Sequence, residues 1–298
     1  MTALRDIAWA KLNLTLEVLG RRADGFHELQ SLVAFAGVGD TVELEPQRGT
    51  LELRIEGPFA TALSGGNGVN LIIKAAEAAK AQLPDLTLGQ FRLVKTLPVA
   101  AGIGGGSADA AAALRLIARA NAEACPETVA AELAPQLGSD VSVCLGSEAA
   151  LITGRGEIVT PIQGFPSCGV VLANPGLALA TVDVYGALEA RPVPAALEPS
   201  VTPDFAGDFE RLMAYVAPRG NDLEAAATRL APEIGAVLSA LSELDGARLA
   251  RLSGSGPTCF AVFATPREAL RAATLLAQSE PDWWIAASTL GNPKSRAT

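Results

Sequence analysis

Residues 97–109 read Leu-Pro-Val-Ala-Ala-Gly-Ile-Gly-Gly-Gly-Ser-Ala-Asp, with four glycines in the five positions 102–106. Because glycine has no Cβ, successive backbone N–H groups of such a run can turn toward one bound anion. A short strand pattern at residues 91–95 precedes the run, and an alanine-rich stretch after it predicts a helix to about residue 120. The free N–H groups at the start of that helix would point back at the loop. The stretch therefore predicts a phosphate-binding site and not a flexible linker.

Two better-known phosphate motifs do not account for this loop. No Gly-Lys-Ser/Thr follows the glycines, so the loop is not of the Walker A type. No acidic residue closes a following strand about 20 residues on, as the dinucleotide-binding fingerprint requires.

The composition excludes several other classes of function. The chain has 298 residues, 49% of them hydrophobic, which predicts a folded protein of two domains. Its 23 basic and 32 acidic residues give a net charge of −9, which argues against a nucleic-acid partner. The four cysteines show no Cys-x-x-Cys spacing and His27 is the only histidine, so no metal site is predicted. Since no secretory signal or membrane-spanning run is recognisable, we expect a cytoplasmic protein without a membrane partner.

The pattern of strands and helices lacks a strict β-α-β alternation and predicts an α+β fold. We expect strands at 12–18, 41–45, 51–55, 91–95, 141–145, 169–173, 258–263 and 283–288, and helices at 70–82, 127–137, 205–216, 223–244 and 267–278. The segments 41–45 and 51–55 flank a Pro-Gln-Arg-Gly turn and predict a hairpin. In the strand at 12–18, alternation buries one face and places Lys11 and Asn13 together on the other.

The loop in its full form, Pro-x-x-x-Gly-Ile-Gly-Gly-Gly-Ser-Ala, resembles the phosphate motif of the galactokinase, homoserine kinase, mevalonate kinase and phosphomevalonate kinase superfamily. The resemblance implies that ATP is bound by Pro98, Val99, Ala100, Ala101, Gly102, Ile103, Gly104, Gly105, Gly106, Ser107 and Ala108, with Lys95 and Asn70 near the adenosine. Mg²⁺ is expected with ATP because the phosphates need a counter-charge, although no cage of carboxylates is evident.

The N-terminal stretches Ala10–Leu14 and Leu19–Leu29 resemble the 4-diphosphocytidyl-2-C-methyl-D-erythritol kinases of the non-mevalonate isoprenoid pathway. Further matches are Asn70–Ile72, Leu137–Val141, Gly220–Glu224 and Ser253–Gly256, so the resemblance covers nearly the whole chain. It implies an ATP-binding domain over residues 1–160, like domain 2 of ribosomal protein S5, and a ferredoxin-like substrate domain over 161–298. It also implies transfer of the γ-phosphate of ATP to the 2-hydroxyl of the methylerythritol moiety.

The residues that the resemblance marks as catalytic suit such a transfer. Asp140 matches the family's proposed base, and Lys11 matches the lysine beside that base and the acceptor. An ammonium next to a carboxylate keeps the carboxylate ionised and can stabilise a developing alkoxide. The alternatives are an ordinary exposed strand lysine for Lys11 and a helix-to-strand turn cap for Asp140.

The substrate residues follow from the same resemblance. They are Asn13, Phe26, His27, Thr181 and Tyr185, with His27 against the cytosine and the two aromatic rings on its faces. The alternative for each aromatic residue is a core side chain. The partner is then a small molecule with a cytidine diphosphate moiety, and the protein is a monomer or a weak homodimer.

Two other functions stay open at this point. Another small-molecule kinase of the superfamily is one, although a nucleobase pocket at Gly25–Glu28 would then be idle. A non-catalytic nucleotide-binding regulator is the other, although Lys11 and Asp140 are both present.

Overall fold

The structure is a computed structural model that describes residues 3–63, 70–122, 127–194, 197 and 200–293. The chain forms two compact units. The first unit comprises Met1–Ala10, Gly39–Val99 and Gly104–Gly146, and the second comprises Lys11–Val38, Ala100–Ile103 and Ser147–Thr298. The division into domains at residue 160 stays a prediction.

The elements mix strands and helices along the chain, which confirms the predicted α+β class. The strands are β1 (Leu4–Asn13), β2 (Glu17–Arg21), β3 (His27–Pro46), β4 (Leu51–Glu56), β5 (Gly89–Val94), β6 (Ala150–Gly154), β7 (Ile158–Pro161), β8 (Cys168–Asn174), β9 (Leu249–Leu252), β10 (Cys259–Phe263) and β11 (Trp284–Gly291). The helices are α1 (Leu71–Gln82), α2 (Gly105–Ala120), α3 (Glu127–Leu137), α4 (Ser139–Gly146), α5 (Thr181–Ala187), α6 (Phe209–Val216), α7 (Glu224–Leu230), α8 (Glu233–Ser242) and α9 (Pro266–Ser279). Within the ranges just given, no helix is both long and apolar enough to cross a membrane.

The first unit places α1 to α4 together and holds a small sheet. Strand β4 runs parallel to β5, and β5 pairs antiparallel with residues 41–46 of β3. Helix α1 connects the two parallel strands, as such a crossover requires. Helix α2 packs against α1, α3 and α4 through a run of fully buried alanines at 110–113, whose small side chains allow the helices to approach closely. The predicted hairpin of residues 41–45 and 51–55 is wrong, because β5 lies between the two strands.

The second unit is built around β8, every residue of which is buried. Strands β10 and β11 flank β8 in antiparallel register, β9 pairs with β10, and the end of β11 pairs with Phe35 and Ala36 of β3. Strand β6 pairs with residues 29–33 of β3 on one side and with β7 on the other. Side chains of α7, α8 and α9 share one apolar core with β8, β9 and β10. The turn 253–258 connects β9 to β10, and the residues on either side of it, Leu252 and Cys259, belong to this core.

Three other sequence predictions are wrong in detail. Residues 141–145 form part of α4 and not a strand; Val141, Val143 and Cys144 are buried there. The helix expected over 223–244 is two helices, α7 and α8, with Pro232 directly before α8. The strand expected over 12–18 ends at Asn13, and residues 11–16 are all buried, so that segment has no exposed face.

Candidate active site

The start of α2 lies directly after the glycine run and belongs to the first unit. Gly104 is the N-cap residue with φ of 65°, a left-handed conformation that favours glycine, and it offers no side-chain cap. Helix geometry leaves the N–H groups of Gly105, Gly106 and Ser107 without a partner inside the helix. The first helical bond runs from the Ala108 N–H to the Gly104 carbonyl, at 2.8 Å. These donors, at the positive end of a 16-residue helix, fit a phosphate group.

The earlier loop residues adopt a varied backbone. Pro98 is buried, Val99 is half-buried, and Ala100 is exposed with a φ of 53°. Gly102 has a φ of 73°, and a Cβ added there would lie 2.4 Å from the Ser253 carbonyl oxygen. Both the left-handed backbone conformation and the lack of space for a Cβ therefore require glycine at position 102.

Residues Ala100–Ile103 belong to the second unit, where the turn 253–258 holds them. The Ser253 hydroxyl donates to the Gly102 carbonyl at 3.0 Å and accepts from the Asn13 N–H at 3.3 Å. The Thr258 N–H donates to the Ala101 carbonyl at 3.2 Å. Sequence reasoning noted Ser253–Gly256 as a motif and gave it no role. Its alternating serine and glycine are the signal of a close backbone approach.

Lys11 and Asn13 are joined at the end of β1, in the second unit. The Lys11 ammonium donates to Asn13 Oδ1 at 2.9 Å, and the Lys11 N–H donates to the Ile103 carbonyl at 3.0 Å. Asn13 Nδ2 donates to Ser31 Oγ at 2.8 Å, and that hydroxyl donates in turn to the Thr15 carbonyl. Lys11 is 4% exposed, so it is not an ordinary surface lysine. The prediction that Lys11 and Asn13 point the same way is confirmed, and the structure brings both next to the loop residues 102 and 103.

Asp140 lies in the first turn of α4, in the first unit, and is half-buried. The alternative of a helix-to-strand turn cap does not hold for Asp140, since α4 contains it and, in the described chain, no strand follows directly. The far end of α4 is held by Arg115, whose guanidinium donates to the carbonyls of Cys144 at 2.9 Å and Leu145 at 3.3 Å.

The two residues expected near adenosine are both held by contacts of the first unit. Asn70 is the N-cap of α1, and its Oδ1 accepts from the Ile72 N–H at 2.9 Å. The Lys95 side chain is 3% exposed, and its ammonium donates to Asp40 at 2.5 Å and to Asp109 at 2.8 Å. Burial lowers the pKa of Lys95, but the two carboxylates outweigh it and the net pKa is raised. Sequence reasoning missed Asp40 and Asp109.

The aromatic residues of the expected cytosine site lie in the second unit. The rings of His27 and Tyr185 are in contact, with centroids 4.8 Å apart and planes 31° apart. Burial, followed by the charge of Arg21, lowers the pKa of His27, so the ring is neutral at pH 7. Phe26 is 54% exposed and is not a core side chain.

Two further contacts involve residues of the expected cytosine site. The Arg155 guanidinium lies 4.9 Å from the centroid of the Phe26 ring, a cation-π contact that sequence reasoning missed. The Thr181 hydroxyl lies 2.9 Å from the Ser255 hydroxyl, which places Thr181 against the same turn that holds Gly102. Across the residues that the structure describes, no three or more His, Cys, Asp or Glu side chains are grouped to hold a metal ion.

Two family models match the chain. The one described as the GHMP kinases N terminal domain matches residues 70–148, which include the glycine run and Asp140. The one described as GHMP kinases C terminal matches residues 201–279, which include the turn 253–258. A crystal structure of homoserine kinase from Cytophaga hutchinsonii superposes with a TM-score of 0.71 at 16% identity, over 98% of this chain and 96% of that one, and so shares the fold.

Relatives that match over nearly the whole chain have higher sequence identity. A 4-diphosphocytidyl-2-C-methyl-D-erythritol kinase of Rhodopseudomonas palustris strain BisB18 is 49% identical over 97% of this chain and 95% of its own. One of Parvibaculum lavamentivorans is 46% identical over 96% of this chain and 98% of its own. A crystal structure of 4-(cytidine 5'-diphospho)-2C-methyl-D-erythritol kinase gives a TM-score of 0.76 at 32% identity, over 97% and 99% of the two chains. The resemblance read from the loop and the N-terminal motifs is thereby confirmed, and the chain belongs to the 4-diphosphocytidyl-2-C-methyl-D-erythritol kinase family of the GHMP kinases.

Proposed function

We propose that this chain transfers the γ-phosphate of ATP to the 2-hydroxyl of 4-diphosphocytidyl-2-C-methyl-D-erythritol, a step of the non-mevalonate isoprenoid pathway. The observation that carries the proposal is 49% identity, over 97% of the chain, to a relative of that name. The chain is a small-molecule kinase with ATP as phosphate donor, as its family implies. The uncapped start of α2 and the buried Lys11–Asn13 pair support the same reaction.

The phosphates of ATP are proposed to bind at the N–H groups of Gly105, Gly106 and Ser107. Asn70 is proposed to contact the adenosine through its Nδ2 group, since its Oδ1 already caps α1. Lys95 is also proposed to lie near the adenosine. Mg²⁺ is proposed to arrive with ATP and to be held mainly by phosphate oxygens and water, because the described residues offer no cluster of acidic ligands.

The acceptor hydroxyl is proposed to give its proton to Asp140 while the phosphoryl group is transferred in line. The carboxylate side chain of Asp140, in the first turn of α4, is the group proposed to act as the base. The Lys11 ammonium, oriented by Asn13, is proposed to stabilise negative charge on the acceptor oxygen. In a loose transition state the proton leaves late, so Asp140 also orients the hydroxyl.

The cytosine is proposed to lie against His27, Tyr185 and Phe26, with Thr181 close by. A neutral imidazole has one donor and one acceptor, which suits the donor and acceptor groups of the pyrimidine edge. Because the His27 and Tyr185 rings touch each other, the base is proposed to stack between Tyr185 and Phe26 and not between His27 and Tyr185. A cytoplasmic location, a monomer or weak homodimer, and an ATP-binding domain over 1–160 with a substrate domain over 161–298 belong to the same proposal.

A coupled assay of ADP release tests the reaction. The protein is given ATP and Mg²⁺ with the diphosphocytidyl substrate, and in parallel with homoserine, mevalonate and galactose. We expect turnover with the diphosphocytidyl substrate alone. Turnover with one of the other three would replace the proposed acceptor but keep the kinase. No turnover on any of them, with ATP still bound, would favour a non-catalytic nucleotide-binding regulator.

A further inference from the structure

Three charged side chains are buried together in the first unit. Lys95, Asp40 and Asp109 are between 0% and 2% exposed. The Lys95 ammonium lies 2.5 Å from Asp40 Oδ2 and 2.8 Å from Asp109 Oδ2. We call these three residues the ion cluster. With all three groups ionised, the ion cluster carries one net negative charge away from water.

The ion cluster touches both ends of the phosphate loop. Before the loop, Asp40 Oδ1 accepts from the N–H groups of Thr96 at 2.6 Å and Leu97 at 2.8 Å. After the loop, Asp109 lies in the second turn of α2. Lys95 joins the two sides, because its single ammonium donates to both carboxylates. The position of α2 relative to the chain that enters the loop is thus set by two charged hydrogen bonds.

The ammonium also lies directly under the first turn of α2. A Cβ added at Gly105 would come within 3.1 Å of Lys95 Nζ and within 3.8 Å of Asp40 Oδ2. A side chain at position 105 would therefore require the ammonium to shift by a few tenths of an ångström. This contact gives Gly105 a role that is separate from exposing its N–H group to phosphate.

Stability alone does not explain this arrangement. Removing ions from water is expensive, and a buried ion pair is often no more stable than well-packed apolar side chains. Asp109 Oδ1 is buried and, among the described residues, has no hydrogen-bond partner, which adds a further penalty. Burial and the neighbouring Asp40, only partly offset by Lys95, raise the pKa of Asp109 to about 7. What the ion cluster does supply is a fixed, directional connection across the loop.

We infer that Asp40, Lys95 and Asp109 are positioning residues that set the geometry of the glycine-rich loop and thereby the affinity for the phosphates of ATP. The inference rests on the proposed use of ATP. It adds Asp40 and Asp109, and it gives Lys95 a second role besides its proposed place near the adenosine. Asp109→Ala removes one of the two connections, and Asp109→Asn keeps a side chain of the same size that can still accept from Lys95.

The test is direct titration of MgATP, without acceptor, against the wild type and both variants. We expect Asp109→Ala to weaken ATP binding about 10-fold, as a small misplacement of binding groups does. We expect Asp109→Asn to restore it to within about 3-fold, because a neutral acceptor replaces a charged one. In steady-state assays the loss should appear in KM for ATP and not in KM for the acceptor. Hydrogen exchange of the amides at 98–108 should be faster in Asp109→Ala.

The control for a general loss of stability is Asp208→Ala in the second unit. Asp208 caps α6 by accepting from the N–H groups of Glu210 and Arg211, so its loss lowers Tm without touching the loop. An unchanged ATP affinity in Asp109→Ala, or a loss equal to that of Asp208→Ala, would overturn the inference. If Asp109→Ala does not fold, Asp109→Leu takes its place, because leucine fills a similar volume but cannot accept from Lys95. Unaltered ATP affinity and unaltered exchange at 98–108 in Asp109→Leu would then overturn the inference. Since the titration needs no acceptor, a wrong acceptor in the proposed function leaves the result readable.

Discussion

The position of Asp140 at the start of α4 suits its proposed role. Asp140 occupies the first turn of α4, where the helix dipole favours a negative charge. Asp208, the N-cap of α6, is a second carboxylate at a helix N-terminus and lies in the other unit. Substitution of Asp208 therefore serves as a control for substitution of Asp140.

We expect Asp140→Asn to lower kcat by about 10³-fold, the range of a lost general base. ATP affinity should stay within about 2-fold, because Asp140 is proposed to act on the acceptor hydroxyl. The measurements are single-turnover ADP release and MgATP titration. Asp208→Asn is the control, since asparagine caps a helix as well as aspartate does. A weakened ATP affinity with normal turnover would contradict the proposed role.

His27 is the other residue whose charge state matters. Its pKa is lowered by burial first and by Arg21 second, so the ring in the folded protein is neutral at pH 7. Its ring contact with Tyr185 fixes which edge can face a ligand. The His27 imidazole is therefore the hydrogen-bonding group proposed for the edge of the cytosine.

We expect His27→Gln to keep KM for the diphosphocytidyl substrate within about 5-fold, because glutamine also has a donor and an acceptor, and His27→Ala to raise it about 30-fold. As pH falls below the lowered pKa of His27, the ring becomes a cation and loses its acceptor. KM of the wild type should therefore rise at acid pH, whereas that of His27→Gln should not rise through this group. Parallel pH profiles for the two proteins would contradict the proposed contact.

At the scale of elements, Arg115 connects α2 to both β1 and α4. Its guanidinium donates to the two carboxylate oxygens of Asp6, each at 3.0 Å, and to the Ile7 carbonyl at 3.1 Å. The remaining donors reach the carbonyls at the end of α4. The planar fork thus satisfies helix-terminal carbonyls and fixes the helix that carries Asp140.

We expect Arg115→Lys to lower the free energy of unfolding by about 2 kcal/mol, because one ammonium cannot replace the fork. We also expect kcat to fall about 10-fold through a shift of α4, with KM for ATP unchanged. Arg119→Lys is the matched control: Arg119 lies one turn further along α2, and its side chain is 51% exposed. Equal effects of the two substitutions, in thermal melts and in turnover, would contradict the role of Arg115.

Elements with a local signal were predicted well, and those that depend on distant partners were not. The helix after the glycines and the start of α1 after Asn70 follow from neighbouring residues, and both are confirmed. Residues 141–145 alternate apolar and small polar side chains, which favours a strand; packing against α2 and α3 makes them helical instead. The predicted hairpin is wrong because β5, which begins at Gly89, comes from much further along the chain and lies between its two strands.

In the candidate site, too, contacts between residues close in sequence were predicted and contacts between distant residues were not. The Lys11–Asn13 pair has a spacing of two and was predicted from the sequence. The ion cluster could not be predicted from the sequence, because Asp40 and Lys95 are 55 residues apart and meet only through the pairing of β3 with β5. Ser253 meets Asn13 over 240 residues of sequence.

At the scale of the whole molecule, the net charge of −9 does not favour the binding of ATP or of a cytidine diphosphate group. Affinity for these anions therefore depends on local donors, of which the uncapped start of α2 is the clearest. Under that helix the ion cluster adds one more negative charge whenever Asp109 is ionised. The stability of the whole molecule then depends on whether Asp109 carries a proton.

The sign of that dependence follows from the raised pKa of Asp109, about 7 in the folded protein against 3.8 for the free side chain. Between these values the folded state keeps a proton that the unfolded state has released, so this group's contribution to stability is full at acid pH and is lost as pH rises through 7. Lys95, whose own pKa is raised, stays cationic throughout, and Asp40 is the other charged group in contact with Lys95.

We therefore expect the wild type to lose about 2 kcal/mol more stability than Asp109→Asn between pH 5.5 and pH 8.5, which is about 5 °C in Tm. The measurement is thermal unfolding of both proteins without nucleotide at several pH values. All other titrating groups are shared, so they cancel in the difference between the two curves. Parallel curves would mean that Asp109 keeps one charge state in the folded protein across this range. The ion cluster would then be permanently ionised, and the first turn of α2 would rest on a fixed negative charge.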